Sequence, residues 1–537
     1  MTVRRRSYFL IPLVVAVCSI AAGLFSGGHA LAATSPEDPV GQSMKSFTEI
    51  YALVEQNFAD RVNPDKAVYE GAIPGMLHTL DPHSNFFDPK TYAAMREEQR
   101  GHYFGIGMTV RPEGNRTIVV APFNGSPAFK AGIRPGDAIL MVNDRKTDNL
   151  NYSQVVDLIK GPRGTKVQVT VGRSGLDQPV TFNIVRDEIQ NPSVADAFMI
   201  RPGIAYVQVK NFTDENTSKE LEDKLKALDE KDLRGLILDL RGNPGGLLNE
   251  GIEVAGHFLK KNQLVVSHRG RTQPNKSFTA HTDNGGHEYP MVVVVNRGSA
   301  SAAEIVSGAL QDHDRAWIFG ETTFGKGLVQ SVFPLSQNTA LALTTMHYYT
   351  PSGRLIQRDY SNISFLDYYY NNNRDQKNTA DVKMTDSGRT VYGGGGITPD
   401  EKYDAPKLNR FQIELLRKSA FFGFSAAYFG PQQKLNLPKG WSPDESVIND
   451  FDAYLHKNGY EYTDTEFAAN HQWMKERLKE EMYITAFSID DSEHVRIEQD
   501  PEIAKAVEAL PKAQALLDKA KKMLVMRTEG QAERPAQ

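Results

Sequence analysis

The chain has 537 residues, of which 40% are hydrophobic and 24% charged, an ordinary soluble composition in a length too great for one hydrophobic core. A formal net charge of -5 supplies no field that would attract nucleic acid or select an acidic substrate, so no nucleic-acid partner is expected. The single cysteine, Cys18, lies in an N-terminal apolar run; once that run is removed, disulfides, cysteine nucleophiles and cysteine-ligated metals are all excluded.

Residues 1–32 read as a signal peptide: Arg4, Arg5 and Arg6 precede an apolar stretch from Tyr8 to Phe25, and Ala30-Leu31-Ala32 offers a small-residue cleavage site. The stretch is also close to the minimum for spanning a bilayer, so an uncleaved membrane anchor is the alternative. Either way the body is expected outside the cytoplasm, in the periplasm or cell envelope. Val17 before Cys18 is a poor match to a lipidation site.

Residues 37–100 form a helical lead-in, with Phe47, Ile50, Tyr51, Val54 and Phe58 at helical spacing. The stretch LDPHS, Leu80 to Ser84, reads as a loop, and His83 as a loop histidine that satisfies local backbone groups rather than a functional one.

Residues 101–188 change to short strands and glycines. Phe104-Gly105-Ile106-Gly107, then Ala131-Gly132-Ile133, Gly136-Asp137 and a helix from Asn151 to Lys160 resemble a PDZ domain, in which such a glycine loop aims backbone N–H groups at a peptide carboxylate. The alternative is a small barrel whose glycines only turn corners.

Residues 189–405 alternate strands and helices, and the near-continuous apolar runs LILDL and MVVVV are typical of strands buried on both faces of an α/β core. The polar stretch 362–389 reads as a surface excursion and Gly393 to Gly396 as a turn back into the core. Residues 406–537 are helical in pattern, with a polar, disordered last dozen.

The chemistry centres on RGSASAAE, Arg297 to Glu304. Ser301, three residues before Glu304, fits a capping box, and the octet alone favours a helix cap. The same geometry puts a serine beside unpaired helix N–H groups that can stabilise an oxyanion. His313 would fall at the far end of that helix, roughly 15 Å away at about 1.5 Å per residue, and the octet lacks the G-x-S-x-G elbow of esterases. Lys326 in FGKGLVQ lies between Gly325 and Gly327 and is a better base, or else an exposed turn lysine. To act as base it must be neutral near pH 7 to 8, a shift that costs on the order of 4 kcal/mol and requires burial. Gln330 could orient the amine without adding charge. The loop DLRGNPGG, Asp239 to Gly246, turns a strand end into a helix, and Arg241 and Asn243 read as residues that hold it.

The order LDPHS, PDZ-like domain, DLRGNPGG, SASAAE, FGKGLVQ, YYTPSGR and GGGGITPD resembles the C-terminal processing peptidases, also called tail-specific proteases. The resemblance implies a Ser/Lys dyad serine endopeptidase: Ser301 the nucleophile, Lys326 the general base, Gln330 its support. It further implies an oxyanion hole from Ala302 and either Gly245 or Gly246, a supporting role for Asp312, a structural one for Ser299, and no cofactor or metal. The expected fold is multidomain α/β: a protease core with an inserted PDZ-like β-barrel domain, a helical N-terminal lead-in and a helical C-terminal region. Expected substrates are polypeptides with apolar C-terminal tails. Two rivals stand beside this reading, a non-catalytic PDZ adaptor and a serine esterase with a histidine base. The C-terminal helices leave three roles open: capping the core, a homo-oligomer contact, or docking an adaptor protein.

Overall fold

The structure, a computed structural model, describes residues 38–532 except 273, 285, 286, 362, 371–377, 431 and 433–436. The expected signal peptide lies outside the described residues. Among them, no helix is long and apolar enough to cross a membrane. The chain divides into two compact units, Met1–Gly75 and Met76–Gln537.

In the first unit, helix α1 (Pro39–Asn57) starts where Asp38 accepts the Gly41 N–H at 3.0 Å and Pro39 takes the first helical position. The apolar residues Phe47, Ile50, Val54 and Phe58 are exposed.

In the second unit, the LDPHS loop is folded by one carboxylate. Asp81 accepts the His83 N–H (2.7 Å), the Ser84 N–H (2.8 Å) and the Ser84 hydroxyl (2.6 Å). Strand β1 (Asn85–Phe87) and helix α2 (Pro89–Glu98) follow.

A ribbon of His102–Gly105 against Asp187–Gln190 carries the chain into and out of a small sheet. That sheet runs β2 (Met108–Glu113), β3 (Arg116–Pro122), β4 (Ala138–Val142), β5 (Lys166–Gly172) and β6 (Val180–Val185), in that order, with the short strand Arg145–Lys146 also paired to β4. With helix α3 (Tyr152–Ile159) it closes over a core of its own that includes Ile106, Val119, Val155 and Val169.

The main sheet runs β7 (Val194–Arg201), β8 (Ile204–Val209), β9 (Gly235–Asp239), then strand Met291–Val295, strand Trp317–Gly320 and the short Glu401–Lys402. Only β7 is antiparallel. Parallel strands laid down in chain order with right-handed crossovers put every connecting helix on one face. Accordingly, α4 (Thr217–Ala227), α5 (Leu248–Phe258) and α6 (Ala302–Asp312) share one apolar core with that face. The opposite face, including Ile237, Val292 and Val294, is covered by Ile503, Ala506, Leu510 and Ala513.

The C-terminal region is thus two structures rather than one. Helices from Arg410 to Ala486 build a separate core around Phe421, Phe424, Phe451 and Leu478, and pack on the barrel through Arg111 Nη1 donating to Ser419 Oγ (2.9 Å) and Arg134 Nη1 donating to the Gln432 carbonyl (2.7 Å). Helices from Ile489 onward form the second layer of the main sheet, the last running to Ala532 through most of the polar end expected to be disordered.

Nor is the stretch 362–389 purely a surface excursion. Arg389 at its end pairs with the buried Asp314 (2.7 Å) and with Asp400, and a hairpin of Asn378–Met384 and Thr390–Gly393 returns the chain.

Beside the main sheet, β10 (Leu264–Gly270) and β1 pair with one edge of a long hairpin strand, and the other arm of the hairpin pairs with its other edge. Counting Met291–Val295 as β11 and Trp317–Gly320 as β12, the hairpin is β13 (Leu328–Pro334) and β14 (Ala340–Tyr349). It carries the glycine-flanked lysine to the end of α6.

Candidate active site

Strand β11 ends at Val295 and the chain must turn sharply before α6. Ser299 staples the turn: its hydroxyl donates to the Leu240 carbonyl (2.7 Å) and accepts the Asn296 N–H (3.0 Å). Ser299 is wholly buried, which leaves Ser301 as the serine facing the cleft. Ser301 sits at φ 54°, ψ -114°, a conformation that costs a non-glycine residue on the order of 1–3 kcal/mol and is held only by its surroundings.

Those surroundings converge on Glu304, which the sequence showed only as a helix-capping partner. Its carboxylate is fully buried and accepts four donors: Ser301 N–H (2.9 Å), Lys326 N–H (2.8 Å), Gly325 N–H (2.7 Å) and Thr323 Oγ1 (2.5 Å). One side chain therefore fixes the backbone of Ser301 and that of Lys326 together. Burial pushes the Glu304 carboxyl above the usual range, while its four hydrogen bonds favour the ionised form. The Gly393–Gly396 turn backs this loop: a Cβ on Gly396 would lie 2.6 Å from the Thr323 carbonyl oxygen.

Lys326 is largely buried, and that burial lowers its amine from the ordinary 10.5, against the charges of Glu304 and Asp81, which raise it. Its Nζ donates to Gln330 Oε1 at 2.9 Å rather than to Ser301. The amide of Gln330 cannot turn over freely, because its Nε2 donates to the carbonyl of His83. The LDPHS loop thus orients the group that holds the lysine, a role played by a backbone oxygen. The His83 ring bonds the hydroxyls of Tyr368 (2.9 Å) and Tyr369 (3.1 Å), and burial above all, then the charge of Lys326, lowers it to about 3. It therefore satisfies side chains, not the local backbone groups that its loop position suggested.

Ser301, Ala302, Lys326 and Gln330 line one cleft of about 390 Å³, together with Gly245 and Gly246. In the DLRGNPGG loop, Arg241 pairs with Asp239 (2.7 Å), Asp500 (2.8 Å) and Glu502 (2.8 Å), so a C-terminal helix anchors the loop. Asn243 Nδ2 donates to the Val209 carbonyl (2.7 Å), and its Oδ1 accepts the Gly245 N–H (2.8 Å). Gly245, at φ 94°, has no room for a side chain: a Cβ would stand 2.6 Å from Ser301 Cβ. Among the described residues, the N–H groups of Ala302 and Gly246 have no hydrogen-bond partner, whereas that of Gly245 is occupied.

Asp312 lies at the far end of α6, away from this cleft. It forms a buried ion pair with Arg354 (2.8 Å) and accepts the Ser352 N–H (2.9 Å), which fixes the YYTPSGR segment. From that segment Tyr348 donates to the Ser301 carbonyl at 3.0 Å. His313, at the same far end of α6, has its ring nitrogens bonded to Asp386 (2.8 Å) and the Leu264 carbonyl (2.7 Å). In the barrel, Phe104 is exposed and Gly105 pairs in the ribbon. The Ile106 and Gly107 carbonyls accept Ala128 N–H (2.8 Å) and Phe123 N–H (3.0 Å), while their own N–H groups make no backbone hydrogen bond among the described residues.

Three family models match the chain: "Peptidase family S41" over residues 203–362, which include Ser301, Lys326 and Gln330; "PDZ domain" over 118–173; and "Activating protease CtpB N-terminal domain" over 27–91. The carboxy-terminal-processing protease of Bartonella bacilliformis is 40% identical over 60% of this chain and 75% of its own length. The carboxy-terminal processing protease CtpA of Bacillus subtilis is 32% identical over 68% and 80%, and the carboxyl-terminal-processing protease of a Synechocystis strain 38% identical over 56% and 71%. The chain belongs to the C-terminal processing proteases of peptidase family S41, and is a serine-type endopeptidase with a PDZ domain.

Proposed function

We propose that the chain is an exported endopeptidase that captures the apolar C-terminal tails of polypeptides in its PDZ domain and cleaves them through a Ser301–Lys326 dyad. The observation that carries this reading is the buried Lys326 amine, lowered by desolvation and tied to Gln330 in the same cleft as Ser301. A neutral amine can take the Ser301 proton as the hydroxyl attacks the scissile carbonyl, then return it to the leaving amine. Gln330 keeps one N–H of the lysine engaged while its lone pair turns to Ser301. The oxyanion is received by the unpartnered N–H groups of Ala302 and Gly246; Gly245, whose N–H serves Asn243, shapes the loop instead.

A histidine base finds no support, since both rings near α6 and the lysine loop have their nitrogens bonded elsewhere. The free N–H groups at Ile106 and Gly107 support carboxylate capture by the barrel. The N-terminal pattern of arginines, apolar run and small residues supports export to the periplasm or cell envelope. The test compares wild type, Ser301→Ala and Lys326→Ala on an unfolded protein with and without an apolar C-terminal tail. Wild type should cut the tailed form faster and both variants should be inactive; proteolysis retained by either variant overturns the mechanism.

A further inference from the structure

We infer that the free edge of β13 is the strand on which the substrate chain is laid, so that the substrate is recognised as one more extended strand and Val332 reads one of its side chains. This rests on the Ser301–Lys326 reading above.

Among the described residues β13 pairs with β14 alone, so its other edge is open. The two strands keep one register from Gln330↔Thr344 to Pro334↔Ala340. At the tip of the hairpin, Leu335 N–H donates to the Thr339 carbonyl (2.9 Å), which continues that register as a hydrogen-bonded pair. Hydrogen-bonded and non-hydrogen-bonded pairs alternate along an antiparallel ladder. Phe333 and Ser331 therefore spend their backbone groups on β14, while Val332 and Gln330 turn theirs outward. Pro334, which has no N–H to give, falls on the outward set, where the ladder does not need one.

The open edge is continuous with the cleft. Gln330 and Val332, two residues apart and so on one face of the strand, line the same cavity as Ser301 and Lys326. The segment from Gly327 to Leu335 carries no charge, and Val332 (39% exposed), Phe333 (44%) and Leu335 (47%) present apolar surface. Proteins blunt exposed edges with charges, because an apolar edge pairs with any extended chain. Pro334 blunts this edge only at its hairpin end; the uncharged part that begins two residues after Lys326 and presents Gln330 and Val332 suits a protein that must pair with extended polypeptides of many sequences. Backbone hydrogen bonds then supply sequence-tolerant affinity, and an apolar side chain is preferred opposite Val332.

The test uses a cleavable apolar-tailed peptide with each backbone amide N-methylated in turn. With wild-type enzyme, kcat/KM should fall at least tenfold at two positions two residues apart and less than threefold at the position between them. Absence of that alternation overturns the inference. A second measurement profiles cleavage sites of Val332→Asp on a peptide library: preference at one substrate position should move from apolar to basic, and an unchanged profile counts against the assignment. If sedimentation shows a wild-type dimer that Val332→Asp dissolves, the edge serves a second copy of the chain and the inference fails. Ser301→Ala run on the unmethylated peptide separates the two levels, since cleavage by that variant defeats the dyad reading itself.

Discussion

Replacing Glu304 by glutamine isolates the carboxylate that holds Ser301 and Lys326 in one frame. Oε2 accepts the N–H groups of Ser301 and Lys326, and Oε1 those of Gly325 and the Thr323 hydroxyl. A glutamine offers one acceptor oxygen and one NH2. Its cheaper placement keeps the oxygen toward Ser301 and Lys326 and turns the NH2 toward Thr323, whose hydroxyl can accept. The Gly325 N–H is then left facing a donor in a fully buried site, at a cost of about 1–3 kcal/mol, with the remaining bonds weakened by loss of the charge.

The electrostatic effect has a definite sign. The Glu304 charge raises the Lys326 amine. Its removal must lower that amine further and move the acid limb of the pH dependence of kcat/KM to lower pH. Looser alignment of Ser301 should also lower kcat by about 10- to 100-fold, equivalent to roughly 1.4–2.7 kcal/mol in the barrier. Urea unfolding and pH–rate profiles on an unfolded, apolar-tailed substrate measure all three. A variant with wild-type stability and an unmoved acid limb would refute both the bracing role of Glu304 and its electrostatic hold on Lys326.

Asp312→Ala should destabilise the core by about 3–5 kcal/mol, since it strands the buried Arg354 guanidinium; a loss below about 1 kcal/mol in urea unfolding would show that the pair is dispensable. Acid should weaken the fold through His83. The unfolded ring takes up its proton near 6.5 and the folded ring only at about 3, so its contribution is whole above 6.5 and is lost as pH falls between the two. That loss is at most about 1.4 kcal/mol per pH unit, and the difference in stability between wild type and His83→Gln should narrow from pH 7 to pH 5; a constant difference would be inconsistent with it. Truncation after Ser488 should uncover Ile237, Val292 and Val294 and yield aggregated protein, whereas a soluble, active truncation would contradict the second layer assigned to those helices.

The candidate cleft was legible where its lining includes side chains of unusual kind and place. Ser301 at a helix start and Lys326 between glycines announce themselves, and the capping box that first made Ser301 look structural is the geometry that leaves the Ala302 N–H free. What was hidden acts at a distance or through the backbone. Glu304 reads as a cap because its Ser301 bond is local, whereas its bonds to Gly325 and Lys326 depend on how β12 returns the chain. The His83 carbonyl orients Gln330 but leaves no residue-type signal. The layering of the C-terminal helices was hidden for a related reason. Amphipathic spacing marks a helix as having an apolar face without saying which surface it covers, and here one sequence region serves two.

Lys326 is proposed to work as a neutral amine on Ser301. The most direct test is the pH dependence of Ser301 phosphonylation by a fluorophosphonate, with fluoride as the leaving group, in wild type and in Lys326→Ala. The rate should rise through a single ionisation clearly below the ordinary lysine value of 10.5, and that ionisation should be lost with Lys326. A wild-type inflection at 10.5, or phosphonylation undiminished in Lys326→Ala, would contradict it.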